Sequence, residues 1–268
     1  MYRLFATLSF LVLLFTSCSR NSAVYGYVRI VFEHRWGDEP VEIDGITPYV
    51  NAAGNILTFD NLEYFISRLT ISGSEPTVTL DNPIIRYVSD DTAYSTMLLT
   101  HQIPTGSYEN IRFVFGLDHA LNQSNLFSDA PQSNMFWPEN MGGGYHFLKL
   151  DGKWKNSDEA TDQGFGLHLG TLRRDEYDTI RAFIDDVDSI IRIDVHTRLF
   201  PQYFPVTVLK SFEIRHQEIT TVHVIVDLKQ WMENPFTWDF NMMGGAIMSR
   251  ERAMDSLRTN GQRNLFRH

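Results

Sequence analysis

Histidine is the residue type in this chain best suited to chemistry, because the other usual carriers are missing or badly placed. Nine histidines are present: His34, His101, His119, His146, His168, His196, His216, His223 and His268. Neutral imidazole is the commonest side-chain ligand for transition metals. No two of the nine show the i, i+4 spacing of a helical zinc site, and there is no cysteine cluster. In a strand-rich chain, ligands come from distant segments and meet only in space, so local spacing leaves the ligand set open. Enzyme signatures are thin. No serine stands in a G-x-S-x-G elbow, and Gly142-Gly143-Gly144 lacks the strand-then-helix setting and the lysine of a phosphate loop. The carboxylate pairs Asp90-Asp91 and Asp185-Asp186 sit in polar stretches and read as solvated turns. A binding protein is expected, not an enzyme.

Three positions stand out. His34 follows Phe32 at the end of the first apolar alternation, just before Trp36-Gly37, where the chain leaves its sheet. His168 lies in Phe165-Gly166-Leu167-His168-Leu169-Gly170, where glycines allow close approach of backbone or ligand. Trp137, in Met135-Phe136-Trp137-Pro138, crowns a long segment between Leu117 and Gly144. Bulky apolar groups are costly to leave in water, so they cover either a site or the end of the fold.

The elements that must position these groups are strands. Aromatic and β-branched residues alternate in short runs between Gly, Pro, Asn and Asp, the pattern of an all-β chain. The first run spans 25–32, with Gly26, Val28, Ile30 and Phe32 as the inward set. A turn at 51–55 precedes a strand over 62–71. Others are expected at 84–88, 95–99, 110–116, 146–150, 189–195, 212–215 and 221–228. That is enough for a two-sheet antiparallel sandwich. The segment between Leu117 and Gly144 has little periodicity, and loops of this length inside compact domains tend to be functional. The stretch 246–259 reads as a short surface helix. The C-terminal tail holds Met232, Met242, Met243, Met248 and Met254, which suit either soft ligation or packing.

The N-terminus indicates export. Arg3 precedes an apolar run from Leu4 to Phe15 that is too short for a permanent membrane span. It ends in Thr16-Ser17-Cys18, small residues directly before the single cysteine, as a bacterial lipoprotein peptidase requires. Residues 1–17 are therefore expected to be a signal peptide, 18–23 a lipidated tether attached at Cys18, and 24–268 one sandwich domain with a helical tail. Acylation leaves no thiol for a disulfide or a nucleophile. Lys and Arg number 23 against 33 Asp and Glu, a net charge of −10, so nucleic acid is not an expected partner.

An ordered series of segments resembles the MbnP family, bacterial periplasmic or surface copper-binding proteins associated with methanobactin operons and related to the CorA and MopE proteins. The series runs Val31-Phe32-Glu33-His34, Tyr49-Val50-Asn51-Ala52-Ala53-Gly54, Leu57-Thr58-Phe59 and Leu62-Glu63-Tyr64-Phe65-Ile66-Ser67-Arg68-Leu69. It continues through Ile103-Pro104-Thr105-Gly106-Ser107-Tyr108, Phe115-Gly116-Leu117-Asp118, Asn134-Met135-Phe136-Trp137, the segment from Gly144 to Gly152, and His168-Leu169-Gly170. The resemblance implies an immunoglobulin-like antiparallel β-sandwich that binds copper, as Cu(I) or Cu(II), mainly through histidines. In some members an oxidised tryptophan, kynurenine, is an added ligand, made by a di-haem cytochrome c peroxidase-like partner. Carried over to this chain, it makes His34 and His168 the imidazole ligands and Trp137 the candidate for oxidation.

The chain departs from the family pattern in two places. Members often have a second tryptophan two positions after the first, where this chain has Glu139. His146 stands where the family usually has another residue. It is either an added metal ligand or, by its alternation with Phe147, a histidine on a strand surface. The expectation is a copper-binding envelope lipoprotein that sequesters or hands over the metal. It would be held to the outer membrane by its lipid alone, in the periplasm or at the cell surface. The alternative is a metal-free interaction module that presents Trp36, Trp137, Trp154 and Phe136 to a neighbouring protein.

Overall fold

The computed structural model of the chain describes residues 24–73, 77–79, 85–184 and 187–267. Cys18, with the expected signal peptide and tether, lies outside the described residues, as do His268 and the Asp185-Asp186 pair. Eleven strands of five or more residues make up most of the described fold. They are β1 (Tyr25–Trp36), β2 (Ile56–Gly73), β3 (Ile85–Ser89), β4 (Thr96–Pro104), β5 (Gly106–Phe115), β6 (Leu148–Lys155), β7 (Gln163–Leu169), β8 (Thr171–Ile184), β9 (Val187–Pro201), β10 (Phe204–Ile214) and β11 (Ile219–Asp227). Alternation sets the faces as expected: in β1, Gly26, Val28, Ile30 and Phe32 are buried and the residues between them are half-buried.

The smaller sheet joins β4, β1 and β11, and the larger runs β7-β6-β2-β5-β10 with β3 also paired to β2. Most pairings are antiparallel. The exception is β1 with β11, which run parallel from Tyr27 opposite Ile219 to Arg35 opposite Asp227. A parallel pair needs a long crossover, and here the whole domain between the first and last long strands supplies it. The sheets face each other: Phe32 of β1 meets Tyr64 and Phe113 of the larger sheet edge-on, at 6.3 and 6.0 Å between ring centroids. The long strand β2 changes partner at Phe65, whose N–H donates to the Phe147 carbonyl (3.1 Å) and whose carbonyl accepts from Gly116 N–H (2.7 Å). Before that point β2 pairs with β6, and after it with β5.

The segment after β5 folds back over the outer face of the larger sheet. Phe65, on the opposite face of β2 from Tyr64, is fully buried because Phe127 stacks on it (5.4 Å) and Tyr145 meets it edge-on (6.1 Å). Asn122 fastens this layer, accepting from Tyr145 N–H (2.9 Å) and donating to Thr171 Oγ1 (3.1 Å). Strands β7 and β8 were not expected from the sequence, because glycine in one and closely spaced charges in the other mask their alternation. β8 and β9 form a separate two-stranded ribbon.

The expected C-terminal helix is present, with a second helix before it. Leu228–Glu233 forms α1 and Glu251–Asn260 forms α2, whose Ala253, Met254, Leu257 and Asn260 are buried. Phe266 and Arg267 then pair with Val226 and Ile225, extending the smaller sheet. Met232 and Met254 are core residues and Met242 is exposed, so the methionines form no common cluster on one face.

Candidate metal centre

Strands β6 and β7 form a register-locked pair in which Leu150 opposes Leu167, Lys149 opposes His168 and Asp151 opposes Gly166. Leu148, Leu150 and Trp154 of β6, with Phe165, Leu167 and Leu169 of β7, face the core. By period-two alternation Lys149, Asp151 and His168 take the outer face. There His168 Nε2 lies 2.7 Å from Asp151 Oδ1. Asn61, opposite Asp151 on β2, donates to Oδ2 at 3.0 Å. Glycine at 166 leaves room for the pair: a Cβ there would sit 3.1 Å from Asp151 Oδ1 and 3.2 Å from His168 Nε2. Burial would raise the Asp151 pKa, but the hydrogen bonds from His168 and Asn61 outweigh it and hold the carboxyl below its usual range. The group is ionised.

His146 stands just before β6, beneath the covering loop, and is 6% exposed. Its backbone N–H donates to the Met135 carbonyl at 2.6 Å, and its ring Nδ1 lies 3.0 Å from the same oxygen. Burial above all, with the nearby positive charge of Lys149 adding to it, pushes its pKa down to about 4. At neutral pH the ring is therefore uncharged and carries a lone pair. Its centroid is 5.0 Å from that of His168, with the rings nearly perpendicular, and 4.8 Å from Trp137. Trp137 is fully buried, and its Nε1–H donates to the Met141 carbonyl at 3.2 Å. The indole lies flat against the chain at Gly170, where a Cβ would come within 2.4 Å of two ring carbons.

The structure thus brings together three of the four residues expected to hold metal, His146, His168 and Trp137, and leaves out His34. His34 continues the inward series of β1. Its Nε2 lies 3.1 Å from the hydroxyl of Tyr64, a fully buried residue stacked on Phe115 at 5.4 Å. Burial pushes the His34 pKa down to about 4. Tyr64 faces the core while its neighbours Glu63 and Asn61 share the outer face with Lys149 and Asp151. The larger sheet therefore stands between His34 and His168, so the structure does not bring these two together; it is His146 that lies beside His168. Parity carried that signal, since His168 falls between the inward Leu167 and Leu169. The placing of His146 was not legible in the same way, because it precedes the strand and takes its environment from the loop above it. Asp151 was missed: in sequence it is one of 33 acidic residues.

Among the described residues, no three His, Cys, Asp or Glu are grouped so as to hold one ion. The donor set is two imidazoles, with one carboxylate already engaged by His168. Such a set does not satisfy the four-coordinate demand of structural zinc. Imidazole is a ligand type suited to copper. No helix among the described residues is long and apolar enough to cross a membrane.

Comparison with known proteins bears on the same region. The MbnP family model matches residues 25–249, a span that contains His34, Trp137, His146, Asp151 and His168. No curated protein matches the chain. Among solved structures, MbnP from Methylosinus trichosporium is similar over 80% of this chain and 78% of its own, with 12% identity and a TM-score of 0.47.

Proposed function

Because the chain belongs to the MbnP family, we propose that it is a copper-binding protein of the bacterial envelope that holds the ion between His146 and His168, against Trp137. The observation that carries this reading is the apposition of two imidazoles, 5.0 Å apart between centroids, beneath a loop that ends in a buried indole. One of the two is kept neutral by burial, the state a metal ligand requires. Bound there, copper would be shielded by Trp137 on one side and by the β6–β7 pair below. Storage or delivery follows from such a site. Turnover of a substrate is not part of the proposal.

The soluble chain from Ser19 onward, titrated with Cu(I) against a competing chelator, tests the reading. His146→Ala and His168→Ala are each expected to weaken binding by about tenfold or more. His34→Ala is expected to leave affinity unchanged, since its ring faces the core. Wild-type affinity in a His146→Ala, His168→Ala double variant would refute the site.

The proposal extends to attachment at Cys18 to the outer membrane, and to a di-haem cytochrome c peroxidase-like partner acting on Trp137. Intact mass of protein from its native host checks the second point: a kynurenine shift on the Trp137 peptide supports the partner, and an unmodified peptide removes it. The rival reading, a metal-free interaction surface, has less support. Trp137 and Trp154 are 0% and 6% exposed, and Trp36 packs against Tyr49 and Phe59, leaving Phe136 as the exposed member of the four.

A further inference from the structure

We propose that Asp151 is a positioning residue for this centre: it fixes the His168 tautomer so that Nδ1, not Nε2, carries the lone pair a metal ion would use, while the Met135 carbonyl fixes His146 to offer Nε2. The inference deepens the copper reading and rests on it. A carbonyl oxygen and a carboxylate only accept hydrogen bonds, so the ring nitrogen facing either must carry the proton. A neutral imidazole has one N–H, and its lone pair is then on the other nitrogen. His168 Nε2 faces Asp151 Oδ1 at 2.7 Å, and His146 Nδ1 faces the Met135 oxygen at 3.0 Å. The two histidines are therefore set to ligate through unlike nitrogens.

The carboxylate is itself held in place. Asn61 donates to its second oxygen at 3.0 Å from the neighbouring strand, and Gly166 opposite leaves the space that it and the His168 ring share. Reversing the His168 tautomer would break the 2.7 Å bond and turn a lone pair toward a negative charge. Groups that orient metal-bound histidines in this way contribute about 10- to 100-fold in affinity.

Long-range ¹⁵N–¹H correlation of the imidazoles in the copper-free protein reads the tautomer directly, with no metal present. The wild type is expected to show His168 protonated at Nε2 and bare at Nδ1. Asp151→Ala is expected to give a mixed or reversed tautomer, and about 10- to 100-fold weaker Cu(I) binding. Asp151→Asn keeps an acceptor oxygen and is expected to recover part of both. If Asp151→Ala leaves the tautomer as in the wild type, the positioning role is overturned. So it is if the wild type binds copper and both variants bind it equally well. A wild type that binds no copper refutes the copper reading instead, and the tautomer comparison still decides what Asp151 does to His168. Should Asp151→Ala fail to fold, the same two measurements on Asp151→Asn carry the decision.

Discussion

His34 stands out in sequence as a ligand candidate, and in the structure it lies beside Tyr64, away from His168. Its ring is half-buried with Tyr64 as the hydrogen-bond partner, and its pKa drops from 6.5 to about 4 because desolvation penalises the charged form. An unfolded chain would take up the proton first. Stability from the neutral ring is therefore fully present above about pH 6.5, falls as the pH drops toward about 4, and is absent below that. Thermal unfolding of the copper-free protein at about pH 7 and about pH 5 should show the loss, and His34→Gln should reduce it. Tyr64→Phe, which leaves the His34 Nε2 without its partner, is expected to cost about 1–3 kcal/mol by chemical denaturation. At this scale the sequence was legible only in part. The inward parity of His34 could be read, but its consequence depended on what stood across the core.

The decisive element is the β6–β7 pair. Its inner face is Leu148, Leu150, Trp154, Phe165, Leu167 and Leu169, and its outer face carries Asp151 and His168. A slip of one residue in pairing would exchange the two faces, placing polar groups in the core. Gly166 of β7 and Gly170, just past its end, are spatial requirements. Gly170→Ala would drive a methyl into the Trp137 indole, and is expected to cost about 1–3 kcal/mol and to shift the Trp137 fluorescence. Gly166→Ala meets its neighbours at 3.1 and 3.2 Å, a gentler contact, so it should fold and yet weaken copper binding by displacing the His168–Asp151 pair. Equal affinity in Gly166→Ala would mean that the pair tolerates the crowding. The His-Leu-Gly segment was readable as special before the strand around it was, because glycine breaks the alternation by which strands are recognised.

Over the whole molecule, two sheets and their faces followed from alternation, while the closing of the fold by its C-terminus did not. Trp231 of α1 meets Phe115 edge-on at 5.7 Å, and Phe266 meets Phe113 at 5.0 Å, so the tail completes the core between the sheets. Asn260, fully buried at the end of α2, donates to the carbonyls of Trp231 (2.8 Å) and Phe236 (2.7 Å) and accepts from Phe236 N–H (3.0 Å). Asn260→Ala strands all three groups and is expected to destabilise by on the order of 3 kcal/mol. Truncation after Asp227 should yield a chain without a cooperative thermal transition, measured by near-UV circular dichroism. None of these partners is near Asn260 in sequence, and a polar residue in an amphipathic stretch reads as surface until the chain is folded.

Because the imidazole of His168 and the side chains that pin down the sandwich belong to two sides of one ribbon, loading the site and holding the fold are thermodynamically coupled. An ion that grips His146 and His168 would slow local opening there, and at a hundredfold excess over its dissociation constant it would add about 2.7 kcal/mol against global unfolding. Amide hydrogen exchange at Phe165–Leu169 would then act as a built-in gauge of occupancy in a mixed population.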